Sequence, residues 1–133
     1  MGTWGTGPFQ NDGALDLLGD VEDGTFSFDN VEWAFEEAHL EADAGEFAVA
    51  LLEIALVALE AHDPTDELAE VDLDEVRATL TPNRLRWLVQ QVERTLSEEG
   101  SESYELWAEA DEADFEAWRS RTLTSLTELR ELL

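Results

Sequence analysis

Two histidines and 33 carboxylates are the side chains of this 133-residue chain that could perform acid–base chemistry or bind a metal. Glu36-x-x-His39 matches half of the paired Glu-x-x-His motif that di-metal carboxylate bundles use. The other half is missing, because Leu59 stands three residues before His62. We therefore predict neither a metal site nor a cofactor.

Catalytic arrangements are equally incomplete. His39 is expected on a solvated acidic face, and His62 at a helix C-terminus, where an imidazolium meets the negative end of the helix dipole. Because the surroundings expected for each histidine account for its presence, no Ser-His-Asp triad can be inferred. The chain has no cysteine and neither a GxxxxGK[ST] nor a GxGxxG phosphate loop. The residues favour a protein without catalytic activity, and we predict no catalytic residues.

The first ten residues, here called the arm, combine glycines with large aromatic side chains. Glycine permits close backbone approach, and the aromatic rings can anchor the segment on the helices. One interpretation is a ligand or partner site under the arm; the other is a purely structural role, with the aromatic side chains in the core and the polar ones capping a helix. The candidate binding residues are Trp4, Phe9, Asn11, Asp12, Glu105 and Trp107.

The charge of the chain is strongly one-sided, with a formal net charge of -26, seven arginines and no lysine. GC-rich coding could explain the missing lysine but not the excess of carboxylates, whereas a saline cytoplasm explains both. The carboxylates spread along every polar helical face, which favours halophilic adaptation over a dedicated site for a basic partner. A nucleic-acid partner is not expected, because phosphate binding depends on Lys and Arg.

Four arginines fall close together, and an anionic ligand is one possible reason. Nearby glutamates offer internal ion-pair partners, so we favour internal pairing. These residues are Arg77, Arg84, Arg86 and Arg94.

The chain begins Met1-Gly2-Thr3-Trp4, without the basic and apolar regions of a secretory signal. Its most apolar stretch, residues 47–61, contains two glutamates and is too short to span a bilayer. We therefore expect a cytoplasmic protein without a membrane partner.

Apolar residues recur at helical spacing along most of the chain. Six helices are predicted: from Asn11 or Asp12 to about Gly19, from Asp29 or Asn30 to Ala42, 44–61, from Thr81-Pro82 to Gly100, 101–110, and from Asp111 to the last residues. An acidic connector, residues 63–80, holds one short helical turn with a capping box at Asp72-x-x-Glu75.

The third predicted helix is apolar nearly all round and should be central, since its glutamates occupy one narrow stripe. No internal repeat or long linker interrupts the pattern. We predict an all-α fold: one domain, residues 1–133, with five or six helices in a compact bundle and the arm docked on it.

The run Gly2-Thr3-Trp4-Gly5-Thr6-Gly7-Pro8-Phe9-Gln10-Asn11-Asp12-Gly13-Ala14-Leu15-Asp16 resembles the start of the family called domain of unknown function 4259, which reads G-x-W-G-x-G-x-F-x-N-D-x-A-x-D. The segment Ser101-Glu102-x-x-Glu105-Leu106-Trp107 is similar to the family's S-E-L-x-E-L-W, with Ser103 in place of leucine. Gln10 also departs from a commonly acidic position. The resemblance implies a fold of similar size and no particular activity.

Two classes of function fit these observations. One is a small interaction module, for instance an immunity-type or regulatory protein, that covers a protein partner with the arm and adjacent helices. The other is a small-ligand binder or enzyme with a pocket under the arm. A flat aromatic patch would favour the module, and a concave pocket with perturbed carboxylates would favour the alternative.

Overall fold

The computed structural model describes residues 5–133, so the predicted docking of Trp4 lies outside the described residues. This part of the chain is all-α, as predicted, and contains no strand. The helices are α1 (Asp12–Asp23), α2 (Asp29–Glu32), a 3-10 turn (Trp33–Phe35), α3 (Ala42–Ala58), α4 (Asp74–Thr79), α5 (Pro82–Thr95), α6 (Glu102–Ala108) and α7 (Glu112–Glu131).

Polar side chains mark the start of four helices by accepting an N–H that has no partner within the helix. Asn11 accepts from Ala14 at 2.7 Å, at the start of α1. Thr81, Ser101 and Asp111 do the same for α5, α6 and α7. The predicted starts of these helices are confirmed.

Helix α3 forms the centre of the bundle, as its apolar surface predicts. It packs against α1 on one side and against α5 and α7 on others. Leu51, Leu52 and Leu56 are almost completely buried. The remaining elements therefore take their positions from α3.

The predicted length of the second helix is wrong. Regular helix stops at Glu32, and the 3-10 turn ends at Phe35 instead of continuing to Ala42. The guanidinium of Arg94 donates to the carbonyls of Phe35 at 2.9 Å and Glu37 at 2.5 Å, so these oxygens accept from a side chain of α5. Beyond them, Leu40 forms an isolated parallel bridge with Ser101.

Four smaller predictions also need correction. Helix α5 ends at Thr95 instead of continuing to Gly100. Helix α1 continues past Gly19 to Asp23 and ends at Gly24, whose φ of 74° is left-handed. Helix α3 ends at Ala58 instead of residue 61, and Glu60 takes a positive φ of 64°. Asp72 accepts from the Asp74 N–H at 2.9 Å, in place of the predicted capping box. Within residues 5–133, no helix has the length and apolar character needed to cross a membrane.

Candidate functional site

A cleft of about 640 Å³ opens between the described part of the arm, residues 5–10, and the helices α3, α6 and α7. We call it the arm cleft. Its lining residues come from these four parts of the chain, from the N-cap of α1 and from the loop before α7: Gly5, Gly7, Asn11, Ala42, Gly45, Glu46, Val49, Ser103, Leu106, Trp107, Ala110, Asp114 and Trp118.

Small residues bring α3 and α6 together beside the arm cleft. A Cβ on Gly45 would lie 2.1 Å from the Ser103 Oγ, which is closer than any real contact. Ser103 in turn donates to the Ala42 carbonyl at 3.4 Å. Glycine at 45 and a short side chain at 103 therefore let the two backbones approach.

One wall of the arm cleft is aromatic. The rings of Trp107 and Trp118 are stacked, with centroids 5.9 Å apart and planes at 17°. Trp118 is buried, Trp107 is half-buried, and Leu106 at the edge is 52% exposed. Exposed and half-buried apolar side chains of this kind offer an anchor for another molecule.

The carboxyls of Glu46 on α3 and Asp114 on α7 both line the arm cleft, and the pKa of Glu46 is shifted. The pKa of the Glu46 carboxyl is raised to about 7, chiefly by burial and also by the negative charges of Asp43, Asp12 and Asp16. A hydrogen bond from the Gly13 backbone acts in the opposite direction and lowers the pKa. Glu46 therefore changes its charge near neutral pH, beside an apolar wall.

The structure brings together only some of the residues predicted for the site. Asn11 and Trp107 both line the arm cleft, although Asn11 also caps α1. Phe9 lies in the core at 3% exposure, which is the structural role left open for it. Asp12 is exposed in the first turn of α1, and Glu105 is an exposed residue of α6 with a contact of 3.7 Å to His39. Trp4 lies outside the described residues.

Glu46 was not singled out as a site residue from the sequence. Its signal was the narrow polar stripe of the third helix, where a glutamate interrupts apolar residues every seventh position. That stripe also contains Glu53, which has a separate role.

His62 joins three segments of the fold through two carboxylates. Its Nδ1 lies 2.9 Å from Glu53 of α3, and its Nε2 lies 2.5 Å from Glu128 of α7. Burial opposes the charged form, but these hydrogen bonds and charges outweigh it and raise the pKa of His62. The helix-dipole interpretation of His62 is therefore incomplete, because its main electrostatic partners are two carboxylates.

Most of the clustered arginines form ion pairs or hydrogen bonds with other residues of the same chain. Arg84 pairs with Asp29 and Glu32, and its guanidinium also lies over the ring of Phe28. Arg77 lies 3.7 Å from Glu60, and Arg94 holds the carbonyls described above. Among the described residues, no group of three or more His, Asp or Glu side chains could hold a metal ion.

Together these features define a small all-α protein with an aromatic and acidic cleft between its N-terminal segment and a central helix. Over residues 2–121 the chain matches the family described as Domain of unknown function (DUF4259), and it belongs to that family. This confirms the resemblance noted at residues 2–16 and 101–107. No curated protein and no solved structure matches the chain.

Proposed function

We propose that this chain is a non-catalytic interaction module of a halophilic prokaryote, acting in the cytoplasm and binding a protein partner through the arm cleft. The observation that carries the proposal is the half-buried Trp107 beside the exposed Leu106. Rigid aromatic side chains in partly desolvated pockets contribute most of the affinity of many protein interfaces.

The polar groups of the cleft support binding more than chemistry. The Asn11 side chain accepts from the Ala14 N–H, and the Ser103 hydroxyl donates to the Ala42 carbonyl, so both have structural partners. Glu46 lies among the described lining residues without a histidine or a basic side chain that could complete a catalytic pair.

Site-specific photo-cross-linking tests the proposal. A benzophenone amino acid at Leu106 should give a discrete adduct with one protein in the native host, and Trp107→Ala should remove that adduct. The matched control is Leu123 on α7, an exposed leucine (41%) that does not line the cleft. Equal adducts from both positions, or none from Leu106, would contradict the proposal.

A second candidate is a small-ligand binder or acid–base enzyme, favoured by the raised pKa of Glu46 in a concave site. A thermal-shift screen of metabolite mixtures at pH 6 and pH 8 separates the two. A metabolite that stabilises the native chain but not Glu46→Gln would replace the module with this alternative.

A further inference from the structure

We propose that the arm cleft takes an arginine side chain of the protein partner, with its aliphatic stem against Trp107 and its guanidinium toward Glu46. This inference rests on the proposed function and names the chemistry of the partner. We take the arginine to belong to a protein segment, because the net charge of -26 favours a basic partner over an isolated small ligand.

The charged side chains among the described lining residues of the arm cleft are both carboxylates. Glu46 is influenced by three aspartates, and Asp114 belongs to the lining. None of the ion pairs among residues 5–133 involves these five carboxylates. A cation entering here therefore meets several negative charges, whereas an anionic ligand would be repelled.

The apolar wall selects among cations. A small, strongly hydrated ion gains nothing from stacked indoles, but an arginine has an aliphatic stem and a planar guanidinium that stacks on aromatic rings. The cleft offers both surfaces, since Trp107, Leu106 and Val49 line it together with Glu46.

The chain contains an internal example of the same arrangement. The Arg84 Cζ lies 5.0 Å from the centroid of the Phe28 ring and 5.8 Å from that of Trp87. Its guanidinium nitrogens meet Glu32 and Asp29. Aromatic side chains next to carboxylates thus already bind an arginine in this fold.

A second groove of the molecule is acidic but has no aromatic lining, so it serves as a comparison for binding by charge alone. It has a volume of about 750 Å³, and five of its lining side chains are carboxylates while none is aromatic. Its lining residues include Glu22, Asp66, Glu67, Glu70 and Asp72. If arginine binding needs the aromatic wall, this groove should not bind the same probe.

The test is an NMR titration of the ¹⁵N-labelled chain with N-acetyl-arginine methylamide and with its neutral isostere, N-acetyl-citrulline methylamide. Potassium chloride is kept at the lowest concentration that preserves the helical circular dichroism. We expect the arginine probe to shift the indole N–H signals of Trp107 and Trp118 and the amide of Gly45, and the citrulline probe to leave them in place.

The proton on Glu46 gives a second readout, since a bound guanidinium favours the ionised carboxylate. Affinity for the arginine probe should rise up to about tenfold from pH 6 to pH 8, and Glu46→Gln should abolish that rise. Glu67→Gln, in the second groove, is the matched control and should leave it unchanged. The titratable groups that act on Glu46 are Asp43 on α3 and Asp12 and Asp16 on α1, and Asp114 on α7 lines the same cleft.

Equal shifts from both probes would overturn the arginine inference while leaving an apolar docking site, and hence the proposed function, in place. The inference would also be overturned if the arginine probe caused no shift at Trp107, or if it shifted the signals of Glu67 and Glu70 in the second groove as much as those of the arm cleft. The cross-linking experiment at Leu106 decides the proposed function separately, because it requires no arginine in the partner.

Discussion

The Glu46 carboxyl couples the stability of the fold to pH. Its pKa is about 7 in the folded chain, compared with 4.5 for an ordinary glutamate, so the folded state binds more protons between these values. The contribution of Glu46 to the free energy of unfolding therefore falls as pH rises from about 4.5 to 7.

We predict that Glu46→Gln removes this fall. At pH 8 the variant should be more stable than the native chain by about 1–2 kcal/mol, a value that allows for solvent screening of the partly exposed carboxyl. At pH 5 the two chains should have nearly equal stability. Urea unfolding at both pH values measures the difference. Glu36→Gln, at an exposed position, is the control. The same pH dependence in the native chain and Glu46→Gln would contradict the prediction.

His62 makes a separate contribution with its own pH range. Because its folded pKa is raised, the stabilisation is complete below pH 6.5 and is lost as pH rises through the folded pKa. We predict that His62→Gln lowers the thermal midpoint at pH 6 and much less at pH 9. His39→Gln is the matched control, since His39 is exposed and lies 3.7 Å from Glu105. Similar losses from His62→Gln at the two pH values would show that the ion pairs contribute nothing.

Single residues differed in how far the sequence could predict them. Asn11 was predicted as a cap because its partner lies three residues away, and local chemistry sufficed. The partner of His62 on α7 lies 66 positions away, and the charges around Glu46 come partly from α1. Such environments depend on how helices pack, which side-chain spacing alone does not contain.

Among the helices, the contact between α3 and α6 provides a sharp test of packing. We predict that Gly45→Val destabilises the fold by about 1–3 kcal/mol, because its side chain would collide with Ser103. Gly19→Ala in α1 is the matched comparison, since a Cβ there meets nothing within 4 Å. It should stabilise α1 by about 0.5–1 kcal/mol through helix propensity. Urea unfolding of both variants measures the two effects, and a stable Gly45→Val would refute the close approach.

The starts of helices with local cap signals were predicted correctly, as α5 and α7 show, although α5 ends at Thr95 and not at the predicted Gly100. The predicted second helix failed although its apolar residues have the correct spacing. The reason is a tertiary contact. The Arg94 guanidinium donates hydrogen bonds to backbone carbonyls that lie between 56 and 59 positions earlier in the chain. The spacing of apolar residues contains no information about a distant side chain that donates to these backbone oxygens.

At the scale of the whole molecule, the net charge of -26 should make folding depend on salt. Self-repulsion destabilises the compact state in dilute buffer, and at about 1 M salt the screening length falls to about 3 Å. We predict a higher thermal midpoint in molar KCl than in low salt, measured by circular dichroism. Molar sucrose is a control for effects without ionic screening. Equal midpoints at both salt concentrations would contradict the halophilic interpretation.

The all-α architecture followed from the sequence because apolar spacing and helix caps agree along most of the chain. The arm cleft did not follow in detail, since it is formed where the arm and three helices meet. Its position near Asn11 and Trp107 was anticipated, but its acidic group was not.

The first turn of α3 depends on a residue that is synthesised much later. The Ala42 N–H donates to the carboxylate of Glu102 at 2.7 Å, 60 residues further along the chain, and Glu41 provides no side-chain cap. During translation, this apolar helix leaves the ribosome before α5, α6 and α7 have emerged to cover and cap it. The nascent chain therefore exposes the faces of α3 that α5 and α7 later cover until its last third emerges, and such transiently exposed apolar surface is prone to aggregation.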